Sequence, residues 1–322
     1  MTRYLARRLL QLIPVVWLIT IITFVLLSAI PSDPLDMLVM GNPHIRPEDV
    51  ERMKELYGLN DPLPVRYLKW MKQVIQGDFG YSRTYMIPVT ELVLPRLKNT
   101  LLLTSIATLL ALVVSLPLGT FSAIRQYSIG DYVGTFFTFF GFAVPSFWLG
   151  LVLIIIFSIH FRWLPPGGMI TVELTTGLAG KAVDRLKYLI MPVFVLSLTY
   201  MAMWARYMRS SMLEVIGQDY VQTARAKGLT ERVILYRHAL KNALLPIITI
   251  VGNMLPSLFG GSVVIEQVFY YPGIGKLLYD SILNKDYSVA MGVLLFLAVM
   301  VVVFNLLADI SYAVVDPRVR YD

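Results

Sequence analysis

The 322-residue chain is 57% hydrophobic and only 15% charged, with a mean hydropathy of +0.66. Soluble domains carry about 25% charged residues, so a membrane protein is the first expectation. Cysteine is absent, which removes disulfides, thiolate nucleophiles and zinc–thiolate centres, and the three histidines (His44, His160, His238) show no ligand spacing, so no metal site is expected. The net charge of +7 would suit nucleic acid, but where the charges fall argues against it.

A bilayer core of about 30 Å is crossed by about 20 largely apolar residues as helix. Six runs qualify: residues 9–30, 100–124, 133–161, 188–203, 244–265 and 288–315. Pro14, Pro117, Pro145, Pro192, Pro246 and Pro256 lie inside or near them. Breaks of this kind are tolerated where neighbouring helices or a water-lined path satisfy the freed carbonyls. The first run is too long for a signal peptide and no small-residue cleavage site follows, so it reads as an uncleaved anchor.

Segment 31–99 reads as an external helical loop. In "RPEDVERMKELYGL", Pro47 suits the first helical position, Glu48 and Asp49 favour the helix N-terminus and Gly58 suits the stop. Val50, Met53 and Tyr57 would line one face. Packing on the outer membrane surface and docking a partner are both open for it.

Orientation follows from Lys and Arg in the short loops. With the N-terminus inside, the cytoplasm receives Arg3, Arg7, Arg8, Arg125, Arg206, Arg209, Arg225, Lys227, Arg232, Arg237, Lys241, Arg318 and Arg320 against Asp131, Glu214, Asp219, Glu231, Asp316 and Asp322. That difference equals the whole formal charge of +7. Both termini are therefore expected inside, and the basic pI is a topology signal.

The second long hydrophilic segment, 204–242, contains "DYVQTARAKGL". Asp219 with Gln222 fits a capping box, and Gly228 is the residue expected just past a helix end. A helix this short is marginal in water and must pack against something. It could be a linker on its own bundle or fit a groove on a cytoplasmic partner. Lying on anionic lipid is disfavoured, because the large apolar face is missing.

"TARAKGL" followed by "YRHALKNALLPI" resembles the cytoplasmic motif of ABC importer permeases of the dipeptide/oligopeptide/nickel branch. "RYLARRLLQLIPV", "IPSDPLD", "YGLNDPLPVRYLKWMKQVIQGDFGYS", "YYPGIGKLLYDSILNKDY" and "LLADISYAVVDPRVRY" extend the resemblance over nearly the whole chain. The general permease pattern opens Glu-Ala-Ala with Gly four residues on. Gln222 and Thr223 depart from it, while Ala224 and Gly228 match.

The resemblance implies an all-α integral membrane protein: six transmembrane helices in the type I ABC importer permease architecture, both termini cytoplasmic. Its parts would be the first span (1–30), the extracytoplasmic segment (31–99) and a core of five spans (100–322) with a coupling helix at about 219–228. Asp219, Tyr220, Gln222, Thr223, Ala224, Arg225, Ala226, Lys227, Gly228 and Leu229 would then couple to an ATPase.

The implied partners are a second homologous permease subunit in a heterodimer, two ATP-binding subunits and an extracytoplasmic substrate-binding protein, in the lipid of a bacterial or archaeal cytoplasmic membrane. No cofactor is expected in this chain, since ATP and Mg belong to the ATPases. Dipeptides or oligopeptides would be the cargo, with nickel complexes or oligosaccharides open within the branch.

"PGIGKLL" is not a phosphate loop, because Leu277 stands where Ser or Thr is needed and no strand precedes it; it reads as a turn. The translocation path is expected at Ser146 and Trp148, beside Pro145, and at Asn253, Ser257, Gly260 and Gly261, beside Pro256. Close helix packing would use the same small residues. Asp309, near the inner end of the last run with Asn305 one turn before it, is the deep ionisable candidate, functional by default or, so close to the interface, a solvated or paired end residue. A secondary transporter would need coupling charges near the midplane and usually an internal repeat. An intramembrane enzyme built on Ser262 would need an activating base. Neither is visible.

Overall fold

The structure, a computed structural model, describes residues 2–29, 48, 51–52, 55, 60–171, 177–254 and 257–315. Among these the chain is helical, with a single isolated bridge between Tyr81 and Pro88. The expected helix at 47–58 lies outside the described residues except at Glu48, Glu51, Arg52 and Glu55, which are helical.

The chain forms two compact units, Met1–Arg96 with Leu277–Val302, and Leu97–Lys276 with Val303–Asp322. The longer helices among the described residues are, in order, α1 (Thr2–Ser28), α2 (Leu63–Ile75), α3 (Val89–Ile124), α4 (Ile129–Ala143), α5 (Ser146–Leu153), α6 (Leu178–Ile216), α7 (Asp219–Ala226), α8 (Leu240–Met254), α9 (Ser257–Val268), α10 (Ile274–Leu283) and α11 (Tyr287–Val315). Two π-helical stretches, Ile154–His160 and Ile234–Ala239, continue α5 and lead into α8.

Among the described residues, Val89–Ile124, Ala179–Ile216, Glu231–Gly252 and Tyr287–Leu307 are long and apolar enough to cross a membrane. A bent pair, Ile129–Ala143 with Ser146–His160, makes a fifth if it counts as one span; the apolar part of α1, Ile13–Ser28, is shorter.

Two expected runs are not single helices. Run 133–161 bends by 103° between α4 and α5. Pro145 lacks an N–H, and its ring forces Val144 out of the helical region to φ −84°, ψ 124°. Run 244–265 is divided between α8 and α9, and the spanning helix starts earlier, at Glu231. The segment 204–242 is not one loop either: α6 carries helix on to Ile216, leaving only α7 and its short connections between long helices.

In the second unit α6 is the hub, touching α4, α5, α8 and α9. Leu189, Met191, Val193, Leu196, Tyr200 and Trp204 of α6 are buried with Leu103, Ala107 and Ala111 of α3, whose four-residue spacing keeps them on one face. Toward the other end, Met208 and Met212 of α6 meet Ala239, Ala243 and Ile247.

Candidate functional site

α7 stands apart because its outward face is polar while its inner face is fixed. Val221 and Ala224, three residues apart, are buried against Ile234 of the π-helical stretch, with Val215 of α6 alongside. Burying one valine side chain contributes about 1.5–3 kcal/mol. Two polar ties flank this contact. Asn242 donates through Nδ2 to the Tyr220 hydroxyl at 2.8 Å and to the His238 carbonyl at 3.1 Å. Arg225 grips Glu231 with Nε–Oε1 at 2.8 Å and Nη2–Oε2 at 3.4 Å; both are solvent-exposed, so this pair contributes little.

Asp219, Gln222, Thr223, Ala226, Lys227, Gly228 and Leu229 face solvent. The Thr223 hydroxyl donates back to the Asp219 carbonyl at 2.9 Å.

The C-terminal stop is as expected: Gly228 has φ +77°. Its N–H reaches the Arg225 carbonyl at 2.9 Å, and the Leu229 N–H reaches Ala224 at 3.4 Å. This is the paired bond pattern of a Schellman stop.

The N-terminal expectation is corrected. Gln218 is the cap, at φ −75°, ψ 147°, with no side-chain cap bond; Asp219 is the first helical residue. Asp219 therefore acts through its charge at the helix N-terminus. The Gln222 amide reaches instead toward the Gly217 carbonyl, at 3.5 Å. Ala224, expected on the docking surface, faces inward, because its three-residue spacing from Val221 places both on the bundle side.

The same paired bonds end α2. Gly77, at φ +83°, donates to the Val74 carbonyl at 2.9 Å and Asp78 donates to Gln73 at 3.0 Å. Sequence reading passed over this helix, although Pro64 in its first turn and Gly77 past its end were the usual boundary signals.

The "YYPGIGK" segment is non-helical only through Gly273, with a turn that includes Tyr270; Ile274 opens α10. It is built around Glu266, which is fully buried. Thr100 Oγ1 donates to Glu266 Oε1 at 2.5 Å, and the Lys276 N–H donates to Oε2 at 2.9 Å. Thr100 Oγ1 also accepts from the Ile274 N–H at 2.8 Å, and Asn99 Nδ2 donates to the Pro272 carbonyl at 2.9 Å. Tyr271 donates to the Asn99 carbonyl at 3.0 Å; burial pushes its hydroxyl up to about 12, so it remains a donor. A Cβ on Gly273 would fall on the Glu266 carboxylate. Glu266 was not singled out from the sequence, since one acid at the end of an apolar run looks like a solvated terminus.

The last two quoted stretches of the first unit also meet. Ser82 Oγ donates to Asp286 Oδ2 at 2.6 Å and the Thr84 N–H to the same oxygen at 3.1 Å, just before α11.

Of the expected path residues, Ser146 and Trp148 open α5, with Trp148 51% exposed, and α5 packs on α9. Asn253 lies in α8 and Ser257, Gly260 and Gly261 in α9; their side chains, Pro256, and the Asp309 side chain lie outside the described residues. The small Gly150 permits the α5–α9 approach: a Cβ there would lie 3.0 Å from Val268 and 3.2 Å from Phe269. Ser262 is buried and Asn305 exposed. A group of three or more metal-ligating side chains is absent among the described residues.

The long apolar helices, with α6 central in the second unit and the short polar α7 tethered between α6 and α8, define a multi-pass α-helical membrane protein. Residues 115–321 match the family model described as the binding-protein-dependent transport system inner membrane component, and residues 1–104 match the N-terminal model of the same systems. The chain is 50% identical, over 100% of both chains, to the oligopeptide transport system permease protein AppB of Bacillus subtilis. It is 36% identical, over 100% of this chain and 99% of the relative, to the dipeptide transport system permease protein DppB of Escherichia coli K12.

The inward-facing MetNI methionine ABC transporter aligns with a TM-score of 0.55 at 19% identity, covering 70% of this chain and 97% of that one. It speaks to the fold alone. The chain belongs to the peptide-branch permeases of the binding-protein-dependent ABC importers.

Proposed function

We propose that this chain is one of two permease subunits of an ATP-driven importer of dipeptides or oligopeptides. α7 is its mechanical contact with an ATPase. One observation carries this reading: α7 is tied to the bundle by Val221, Ala224 and Tyr220, yet presents Gln222, Thr223, Ala226 and Lys227 outward. A linker needs no rigid outward face. A helix that transmits force needs both a docking surface and a firm attachment to the spans. The attachment runs into α6 through Val215 and into α8 through Asn242.

In this reading α1 and the bent pair complete six spans, with both termini in the cytoplasm. ATP and Mg bind two separate ATPase subunits, and the chain holds no ATPase site of its own. A second, homologous permease forms the other half of a heterodimer, and an extracytoplasmic binding protein delivers the cargo. The path passes between α5 and α9, at Ser146, Trp148, Asn253, Ser257, Gly260 and Gly261. The peptide relatives AppB and DppB support the cargo class.

The absence of native cysteine allows a direct test. A single cysteine replaces the exposed Ala226, another is placed in the ATPase groove, and disulfide formation is followed with and without nucleotide. Nucleotide-dependent cross-linking is expected. Failure across a panel of groove positions, while a cysteine elsewhere in the same complex reacts, would return α7 to a linker.

A further inference from the structure

α2 has an unusual pair of faces. Tyr67, Trp70, Met71 and Val74 recur at helical spacing on one side. The Tyr67 hydroxyl lies 2.9 Å from Thr20 Oγ1 of α1, and the Tyr67 and Trp70 rings lie 5.5 and 5.6 Å from Phe24. Thr20 and Phe24 are buried by this contact. Away from it, Leu68 and Ile75 are 65% and 78% exposed. The helix carries Arg66, Lys69 and Lys72 and no acid. Lys69 pairs with Asp61 at 2.5 Å; among the described residues no carboxylate pairs with Arg66 or Lys72.

Beside α2 lies an apolar groove of about 580 Å³, lined by Val16, Trp17 and Thr20 of α1, Met71 and Val74 of α2, and Phe296 and Val299 of α11, among others. Its depth can be read along both long helices. On α1 the lining runs from Ile13 to Thr20, so its upper edge is eight residues before Ser28, about 12 Å at 1.5 Å per residue. On α11 it runs from Leu295 to Val302, starting eight residues after Tyr287, again about 12 Å from the end. The groove therefore runs for about 10 Å along both long helices, with Met71 and Val74 of α2 forming one wall.

We propose that α2 lies in the membrane interface and, with α1 and α11, holds one phospholipid: an acyl chain fills the groove, and Arg66 and Lys72 face the phosphate of the headgroup. Three observations converge on a lipid. The groove is apolar and lies along the apolar stretches Ile13–Ser28 and Tyr287–Leu307, and the hydroxyl in its lining, Thr20, is already engaged by Tyr67 and by the Trp17 carbonyl at 2.7 Å. Trp70 and Tyr67 are the side chains that favour the interface. The cations that pair with no carboxylate among the described residues lie on the helix that walls the groove, as an anionic headgroup requires. A helix of a second subunit would fill the groove but would leave those cations, and the exposed Leu68 and Ile75, without a reason.

The experiment uses the full transporter complex in liposomes, with single cysteines for spin labels and a phospholipid bearing a photoreactive acyl chain. Labels at Leu68 and Val299 are expected to collide with oxygen more than with a water-soluble nickel chelate, and a label at Gln73 the reverse. Photolabelling is expected within residues 13–20 and 295–302. Val299→Trp, which fills the groove, should abolish it.

Phosphatidylglycerol should label in preference to phosphatidylcholine, with the preference falling about fivefold for each cation removed in Arg66→Gln and Lys72→Gln. Nickel access at Leu68 would overturn the interfacial placement. Labels at Val299 shielded from both reagents would show that protein fills the groove. Labelling indifferent to the headgroup and to both glutamine variants would overturn the phosphate contact.

Discussion

The Glu266 carboxylate and the Thr100 hydroxyl, 166 residues apart in the chain, stand 2.5 Å apart in a fully buried site. Because the same hydroxyl accepts from the Ile274 N–H, it joins α3, α9 and the start of α10 at one atom. Thr100→Val keeps the shape and strips both bonds, leaving a buried N–H and a carboxylate oxygen short of partners. We expect a loss of about 2–3 kcal/mol. The readout is the thermal unfolding temperature in detergent, with Thr100→Ser close to the parent. A valine variant as stable as the serine variant would remove this node from the account.

Gly273 is where that node excludes a side chain. Gly273→Ala drives a methyl into the Glu266 carboxylate, and overpacking of this kind costs about 1–3 kcal/mol. Gly217→Ala, where a Cβ would lie an ordinary 3.5 Å from the Glu214 carbonyl and φ is −78°, is the matched control and should be close to neutral. Equal unfolding temperatures for the two variants would contradict the close approach.

Ser82 and Asp286 offer a test by double substitution. Each alanine variant should weaken the start of α11, and the pair should lose less than the sum, with a coupling of about 0.5–3 kcal/mol. Strict additivity in denaturation would mean that the 2.6 Å bond carries no coupling.

At Gly228 the cost is conformational, since a Cβ would meet open space while φ is +77°. Gly228→Ala should cost about 1–2 kcal/mol locally, and Gly228→Asn less, because Asn tolerates the left-handed region. Hydrogen exchange at the Gly228 and Leu229 amides should speed up in that order. Peptide uptake by the full complex should fall with it if the stop holds α7 in its docking position.

The two faces of α7 should separate in function. Val221→Ala loosens its seat on Ile234 and should lower both thermal stability and uptake. Ala226→Trp, on the exposed face, should leave stability unchanged and reduce only ATP-dependent uptake. A tryptophan at Ala224 would not discriminate, since that residue is buried against the bundle.

Much of this was legible in the residues alone. Apolar runs separated by cation-rich loops specify a membrane bundle, because hydrocarbon admits only backbones that satisfy themselves. The same economy made Gly228 readable as a stop, since the left-handed backbone it needs is a local property of one residue.

Other features were decided only by the fold. Apolarity is blind to direction, so run 133–161 looked continuous although Pro145 turns it through 103°. α6 continues past its apolar stretch because packing, rather than hydropathy, sets where a helix ends. Asp219 and Gln222 had the spacing of a capping box, but the chain entered the helix one residue earlier and left the box unformed. Glu266 and Thr100 are ordinary residues until the tertiary structure brings them together. A hydrogen bond across 166 residues leaves no local pattern, because its two halves are chosen by packing.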